Sequence, residues 1–588
     1  MSVNFIHPAF IFIGFAGVLL FWKHKSFKYL LILPGLLAIL SVILLKPGVY
    51  GKLNYLGFEL TLGRVDTLAI VFAHVFAIQS LIGFIYAWHV QERSQHIAAA
   101  LYVAGAFGAT FAGDYFTLFI FWELMAVAST FLIWLNRKNS KAPGAGFRYF
   151  IFHTLGGLFL LGGLLLRYKM VGNFDFVPIS PSEATIYDYL ILLGFAVNAA
   201  VVPLHAWLPD AYPEATITGA VFMSAFTTKT AVYVLARGFA GFEVLAIAGT
   251  IMAIYGVFYA TIENNARRIL AYHIVSQVGY MVAGIGIGTA MTLNGAAAHA
   301  YAHILYKGLL FMGAGSLLYA TGTAKLTELG GLVSKLPWVF VFYMVGAVSI
   351  SGFPLFSGFV SKTMVIAGAA EAHRTYLALG LELAAVGTFL SVGIKLPYFA
   401  FYGPKKYTGK ITPLPKNMYV AMFLASFLCF FIGVYPPFLY HLLPYEVEYV
   451  PYTPWHLEQT LLLLSFTGLG FYLLRKKLAP EAKLNLDFDY FYRLIGRGFL
   501  ALCRTPIEKI DNWWSEVYRR LGLRGLMGFA KGTALFDWEE IDRVIDGFAF
   551  SFVRLGNNIS RIQKGDLRIY LAFSISVMLI IWALIYIF

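Results

Sequence analysis

Runs of apolar residues recur along the whole chain, separated by short polar links. A helix rises 1.5 Å per residue, so crossing the hydrocarbon core of a bilayer takes roughly 20 residues. Runs of that kind predict about sixteen transmembrane helices, near residues 8–22, 29–46, 66–90, 97–113, 115–135, 148–167, 189–204, 216–237, 242–262, 269–291, 296–320, 337–370, 376–402, 418–443, 456–474 and 568–588. Short links between them are expected of a compact bundle. Between the second and third runs, YGKLNYLGFELTLGRVD alternates apolar and polar positions around glycines, the signature of a small hairpin outside the bilayer.

Two stretches cannot be uninterrupted helices. Residues 198–216 carry Pro203, Pro209 and Pro213, and residues 349–362 carry Pro354 between Gly352 and Gly358. Unwound backbone survives at membrane depth only beside protein or a wetted cavity, because its amides find no partner in lipid. Two such breaks in different parts of the chain point to an internal repeat around an ion path. The intervals from Asn198 to Lys229 and from Lys362 to Lys395, 31 and 33 residues, point the same way; chance recurrence in a glycine-rich chain is the plainer alternative.

Composition agrees with the pattern. Hydrophobic residues make up 59% of the 588 positions and charged ones only 13%, with a mean hydropathy of +0.73, which excludes an ordinary soluble surface. The net charge of +14 belongs to loops and helix ends facing anionic headgroups, and implies no nucleic-acid partner. Lys23, Lys25 and Lys28 after the first run predict an amino terminus outside and a cytoplasmic trailing end. Two cysteines, Cys429 and Cys503, support neither a disulfide scaffold nor a metal cluster. No redox centre, cofactor site or metal site is expected in this chain, and ATGTAK at 320–325 lacks the spacing of a phosphate loop.

Beyond Leu474 the composition turns polar for nearly a hundred residues. Ile541, Val544, Ile545, Phe548, Phe552, Leu555, Ile559 and Ile562 follow a helical period with charges between them, as do Ile507, Ile510, Trp514, Val517 and Leu521. Residues 488–566 therefore predict amphipathic helices lying along the membrane surface or along neighbouring subunits.

The apolar runs also hold ionisable residues: Glu123 in FWELM, Lys229, His273, His299, His303, Lys307, Lys362 and Lys395, with His205 and Asp210 at the first interruption. A charge at bilayer centre costs at least about 2.5 kcal/mol unless it faces protein, water or a counter-charge. Burial and a nearby opposite charge shift proton affinity in opposing directions, so small changes in hydration or separation move protons on and off. His299, His303 and Lys307 recur every fourth residue and share one helix face. For the two histidines alone, a hydrogen-bonded seam between helices is an equal alternative to a relay. Asp66, His74, Asp114 and Glu382 are read as interfacial groups.

These residues lie in segments that resemble a known family. FWELM at 121–125, VPLHAWLPDAYPEA at 202–215, TTKTAVYVLAR at 227–237, AYHIVSQVGYM at 271–281, HAYAHILYKGLLFMGAGS at 299–316 and SGFPLFSGFVSK at 351–362 are similar to the antiporter-like membrane subunits of complex I, Mrp-type antiporters and energy-converting hydrogenase or sulfane reductase complexes. The resemblance covers roughly residues 60–440. It implies an all-α polytopic fold with two inverted five-helix repeats, each with a broken helix, and a hydrated polar axis. It also implies a multi-pass subunit of a prokaryotic cell membrane. On this basis residues 1–95 are N-terminal helices with the hairpin, 96–240 the first repeat, 241–404 the second, 405–487 further helices and a polar linker, 488–566 a lateral helical segment gripping adjacent subunits, and 567–588 a final span.

The same resemblance assigns Glu123, Lys229, His299, His303, Lys307 and Lys362 to a proton relay, with His205, Asp210, His273 and Lys395 as additional candidates. Asn198 departs from it, standing where the family carries a lysine. The expected function is proton translocation, with or without sodium exchange, in a redox-driven complex whose quinone, flavin or metal centres sit in partner subunits. The alternative is a structural module whose first half-channel is altered or silent.

Overall fold

The computed structural model describes residues 6–22, 24–55, 57–483, 485–562 and 565–587; Lys23, one of the bases used above for orientation, lies outside them. The chain divides into two units, Met1–Asp489 and Tyr490–Phe588.

Among its described residues the larger unit is mostly helical, with one antiparallel hairpin, β1 (Gly48–Tyr55) with β2 (Phe58–Val65). Its helices are α1 (Pro8–Phe21), α2 (Leu33–Leu44), α3 (Thr67–Ala87), α4 (Arg93–Phe111), α5 (Tyr115–Trp134), α6 (Ala142–Val171), α7 (Ile186–Asn198), α8 (Trp207–Ala211), α9 (Ile217–Met223) and α10 (Thr227–Gly238). They continue as α11 (Glu243–Ile262), α12 (Ala266–Ile287), α13 (Ala290–Thr321), α14 (Pro337–Ser351), α15 (Ser357–Glu371), α16 (Thr375–Thr388), α17 (Lys416–Val434), α18 (Pro437–Tyr440) and α19 (Pro454–Leu474). The smaller unit takes up α20 (Phe488–Leu502) from Tyr490 onward and adds α21 (Glu508–Val517), α22 (Gly525–Phe536), α23 (Asp542–Ile562) and α24 (Leu567–Ile587). On α23, Ile545, Phe548, Phe552, Leu555 and Ile559 are all exposed on one face.

Among the described residues, twelve helical stretches are long and apolar enough to cross a membrane, and α1, α7 and α14 are shorter apolar helices. This is a mostly helical, polytopic membrane protein. The run expected at 337–370 is divided into α14 and α15, as Pro354 required. The run expected at 216–237 is present as Ile217–Gly238, but it too is broken, at residues 224–226 between α9 and α10. No proline or glycine marks that second break. Two residues other than glycine hold left-handed backbone at the interruptions, Ala200 at φ 56° and Leu355 at φ 74°, a conformation costing roughly 1–2 kcal/mol each.

Hydrogen bonds tie the links between helices into two ends. At one, Gly113 N–H donates to Thr61 O, Tyr115 N–H to Phe174 O, Ile179 N–H to Gly238 O and Gly241 N–H to Ile285 O. Asp114 caps α5 by accepting from Thr117 N–H at 2.7 Å and also accepts from Thr61 N–H of β2 at 2.6 Å. Asp66 caps α3 and grips Arg237 of α10 with both oxygens, at 2.6 and 2.7 Å. Two acids read as interfacial are therefore helix caps.

At the opposite end, Ala266 N–H donates to Ala324 O, Tyr407 N–H to Gly330 O and Thr412 N–H to Ala320 O. The Arg267 guanidinium there holds the carbonyls of Tyr212, Pro213, Ala215 and Thr216, gathering the irregular stretch before α9 around one side chain. This second end carries Arg137, Lys138, Lys141, Lys325, Lys335, Lys405, Lys406, Lys410 and Arg475 to Lys477, whereas at the hairpin end Glu59, Asp66, Asp114, Asp175, Glu183, Asp188, Glu243 and Glu371 outnumber Lys46, Lys52, Arg64, Lys169 and Arg374.

Candidate functional site

Glu123 lies midway along α5, and its carboxylate rests on α6 at Gly157. A Cβ there would fall 2.0 Å from Glu123 Oε1, so only glycine leaves room for the acid. One helical turn away on α6 is His153, which the sequence reading passed over. Its Nδ1 lies 2.8 Å from Asn198 Oδ1 at the end of α7, and its ring packs on Tyr149 and Trp207 at centroid distances of 4.1 and 4.5 Å. The only sequence signal for it was an imidazole inside the apolar run YFIFHTLGGLF.

Lys229 projects from the first turn of α10. Its ammonium reaches back across the break, donating to Ser224 O at 2.6 Å and to Thr228 Oγ1 at 3.1 Å. Ser224 closes α9, so the lysine satisfies a carbonyl that the interrupted helix leaves open, and a cation suits that negative helix end. Tyr102 of α4 steadies the other side of the break, accepting from Thr227 N–H at 2.9 Å. Lys362 of α15 repeats the arrangement, donating to Ile350 O in the last turn of α14 at 2.6 Å.

Between the two lysines runs α13, which brings His299, His303 and Lys307 into the interior, each fully buried. His299 Nδ1 lies 3.1 Å from Ser361 Oγ, the residue preceding Lys362. His303 packs its ring on Tyr306 at 5.2 Å. On α12, His273 Nε2 lies 2.7 Å from Ser391 Oγ, within a π-helical stretch Phe389–Lys395 that continues α16.

The remaining candidates stand apart, at the base-rich end. Lys395 donates to Thr261 O at 2.5 Å and Glu263 O at 3.2 Å, closing α11. Asp210 is held by both ends of the Arg148 guanidinium, at 2.6 and 3.0 Å. His205 Nε2 lies 3.3 Å from Oδ1 of Asp487, a residue absent from the sequence reading. That carboxylate also accepts from Tyr255 OH, and from Tyr272 OH at 2.7 Å. It fastens the linker after α19 to the loop before α8 and to α11 and α12.

Several atoms of the interior group share one property. Glu123 Oε1, His153 Nε2, Asn198 Nδ2, His273 Nδ1, both ring nitrogens of His303 and Lys307 Nζ are buried and meet no hydrogen-bonding protein atom among the described residues; nor does the amide of Gln79, beside Gly308. A dry, unpartnered ammonium would cost several kcal/mol, about the scale of a whole protein's stability margin, so these atoms need water or a mobile proton. Among the described residues no three His, Cys, Asp or Glu side chains converge as a metal site.

Residues 112–390 match the family described as NADH:quinone oxidoreductase/Mrp antiporter, TM. A subunit of the Na(+)/H(+) antiporter of Alkalihalophilus pseudofirmus is 31% identical over 375 residues, 60% of this chain and 75% of that protein. The chain belongs to this family. It is an antiporter-like membrane subunit. Hydrogenase-4 component B of Escherichia coli is 26% identical over 601 aligned positions, covering 89% of this chain and 88% of the relative. In fold, it resembles a chain of the Mrp complex from Dietzia sp., with a TM-score of 0.64 at 24% identity, over 74% of this chain and 91% of that one. The matched family region contains Glu123, Lys229, the α13 face and Lys362; it excludes the hairpin, α19 and the whole second unit.

Proposed function

We propose that this subunit carries protons through the membrane along Glu123, His153 with Asn198, Lys229, the His303–Lys307–His299 face and Lys362. The observation that carries the reading is the set of buried polar atoms without protein partners among the described residues, spread over α5, α6, α7, α12 and α13, together with two helix breaks bridged by lysine. Such atoms support a wetted path, since water can supply their missing bonds and pass protons between them. Asn198 cannot carry a proton, but it orients His153, which can.

On this reading residues 96–240 and 241–404 are the two inverted repeats, each with a lysine-bridged break, in a chain of about sixteen spans. The base-rich end is cytoplasmic by the distribution of Lys and Arg. Residues 488–566 run laterally against adjacent membrane subunits, their exposed apolar face on α23 covered by partners, before a last span at 567–588. Energy comes from a redox partner or, as the name of the sodium/proton antiporter relative allows, from an opposing sodium gradient.

The test is ion transport by the intact complex in proteoliposomes. Glu123→Gln or Lys362→Met should abolish coupled transport while assembly stays normal; unchanged transport in both would overturn the relay. A second reading, a structural module with an altered or silent first half-channel, draws on Asn198 and expects replacement of the buried lysines to alter assembly or leave everything intact, without selectively abolishing transport.

A further inference from the structure

We propose that Lys362 discharges into a vestibule open at the hairpin end of the molecule, and that Glu382 is the acid that receives its proton there. The inference rests on the relay reading of Lys362 and adds the port, its side and its gate.

The vestibule is a cavity of about 330 Å³ walled by α15, α16 and α19, with the end of α14 at Ser351. Lys362 and Glu371 come from α15, Glu382 from α16, and His456 and Gln459 from α19. Glu371, Trp455 and His456 line it where α15 ends and α19 begins; the turn that follows Glu371 belongs to the hairpin end, where Arg374 pairs with Glu243 at the start of α11, and we place the rim there. At 1.5 Å per residue, Lys362 lies about 13 Å below Glu371, and Glu382 about 10 Å below Thr375. The carboxylate is thus most of the way down towards the lysine, on a facing wall. Gln459 Nε2 donates to Glu382 Oε1 at 2.7 Å, which fixes the position of the carboxylate. The cavity has room for several waters, and Ser351, Thr363 and Thr460 add hydroxyls to its wall.

The chemistry is one proton transfer in two moves. The ammonium N–H bond of Lys362 breaks and its proton goes, directly or over water, to a carboxylate oxygen of Glu382, leaving a neutral amine and a carboxylic acid. The acid then releases the proton to water at the rim and becomes carboxylate again. Besides Tyr280 of α12, whose ring lies 5.2 Å from Lys362 Nζ, the titratable groups facing this exchange are Glu371 on α15 and His456 on α19. Both stand nearer the rim than Glu382, where they can relay or repel departing protons. The sequence reading of Glu382 as an interfacial group did not anticipate that it shares a cavity with Lys362.

The test uses the intact complex in sealed vesicles of both orientations, with Cys503→Ser removing the more accessible native thiol. Ala367→Cys and Ala378→Cys, on two different walls, are treated with a membrane-impermeant trimethylammonium thiosulfonate. The expected result is labelling of at least one position from the hairpin side, roughly tenfold faster than from the base-rich side. Transport should fall roughly tenfold or more in Glu382→Gln and largely recover in Glu382→Asp. Labelling from the base-rich side only, or only by a lipophilic maleimide, would overturn the vestibule, the latter by showing a lipid-filled gap. Hairpin-side labelling with normal transport in Glu382→Gln would overturn the gate. Normal transport in Lys362→Met beside slow transport in Glu382→Gln would sink the relay reading while leaving the port standing.

Discussion

The Lys362 ammonium donates to the Ile350 carbonyl 2.6 Å away, across the break between α14 and α15, just as Lys229 donates to Ser224 across the break between α9 and α10. Each lysine thus has two separable tasks, closing a helix end and, on the proposed reading, carrying a proton. Arginine can perform the first task but cannot deprotonate. Lys362→Arg should assemble and resist heat much as the parent complex does, yet lose transport. Lys362→Met should lose transport and also about 1 kcal/mol of stability from the orphaned carbonyl. Proteoliposome transport and heat-inactivation rates, measured side by side, separate the two.

Gly157 is the floor on which the Glu123 carboxylate rests. Gly157→Ala should displace that acid and lower transport nearly as far as Glu123→Gln, with less than about 1 kcal/mol of destabilisation, because the end of a flexible side chain moves aside. Gly162→Ala, on the same helix with open space around its Cβ position, should leave transport unchanged.

His153 and Asn198 form a buried pair, so breaking either side alone leaves a polar atom unsatisfied. Asn198→Leu and His153→Phe should each destabilise by roughly 1–3 kcal/mol. The double variant should cost less than the sum, by roughly 0.5–1.5 kcal/mol of coupling, read from heat-inactivation rates of the four complexes. Additive effects would mean that the two side chains act independently.

Burial pushes the Asp487 carboxyl up, but neighbouring His205 and the hydroxyls of Tyr255 and Tyr272 outweigh it and bring the group down to about 2. A carboxyl below its unfolded value of about 3.9 contributes stability above that pH and loses it as pH falls towards 2. Hydrogen-exchange protection of residues 199–206 should therefore decline below about pH 4. In Asp487→Asn it should be lower throughout and lack that acid step.

Most of the bundle was legible because a span needs a long apolar run: among the described residues twelve helical stretches are long and apolar enough to cross a membrane, while the runs at 216–237 and 337–370 are each divided in two. The interruption at 349–362 was legible through Pro354. The break at 224–226 was not, since VFMSAFTTKT contains neither proline nor glycine; it is held by Lys229 and by Tyr102, a residue 125 positions distant from Thr227. The charged residues of the candidate site were visible as anomalies in apolar surroundings. His153 was overlooked because one neutral imidazole in such a run reads equally well as packing, and Asp487 because a polar linker gives no sign of where its acids fold back.

The links at both ends of the larger unit are stitched to one another by main-chain bonds, loop to loop, from Gly113 and Thr61 round to Tyr407 and Gly330. A barrel hooped at top and bottom resists having its staves slide. On the proposed reading, a proton passing through such a frame would be handed on by short swings of side chains and the filling and emptying of gaps between them, and not by halves of the molecule rocking past one another.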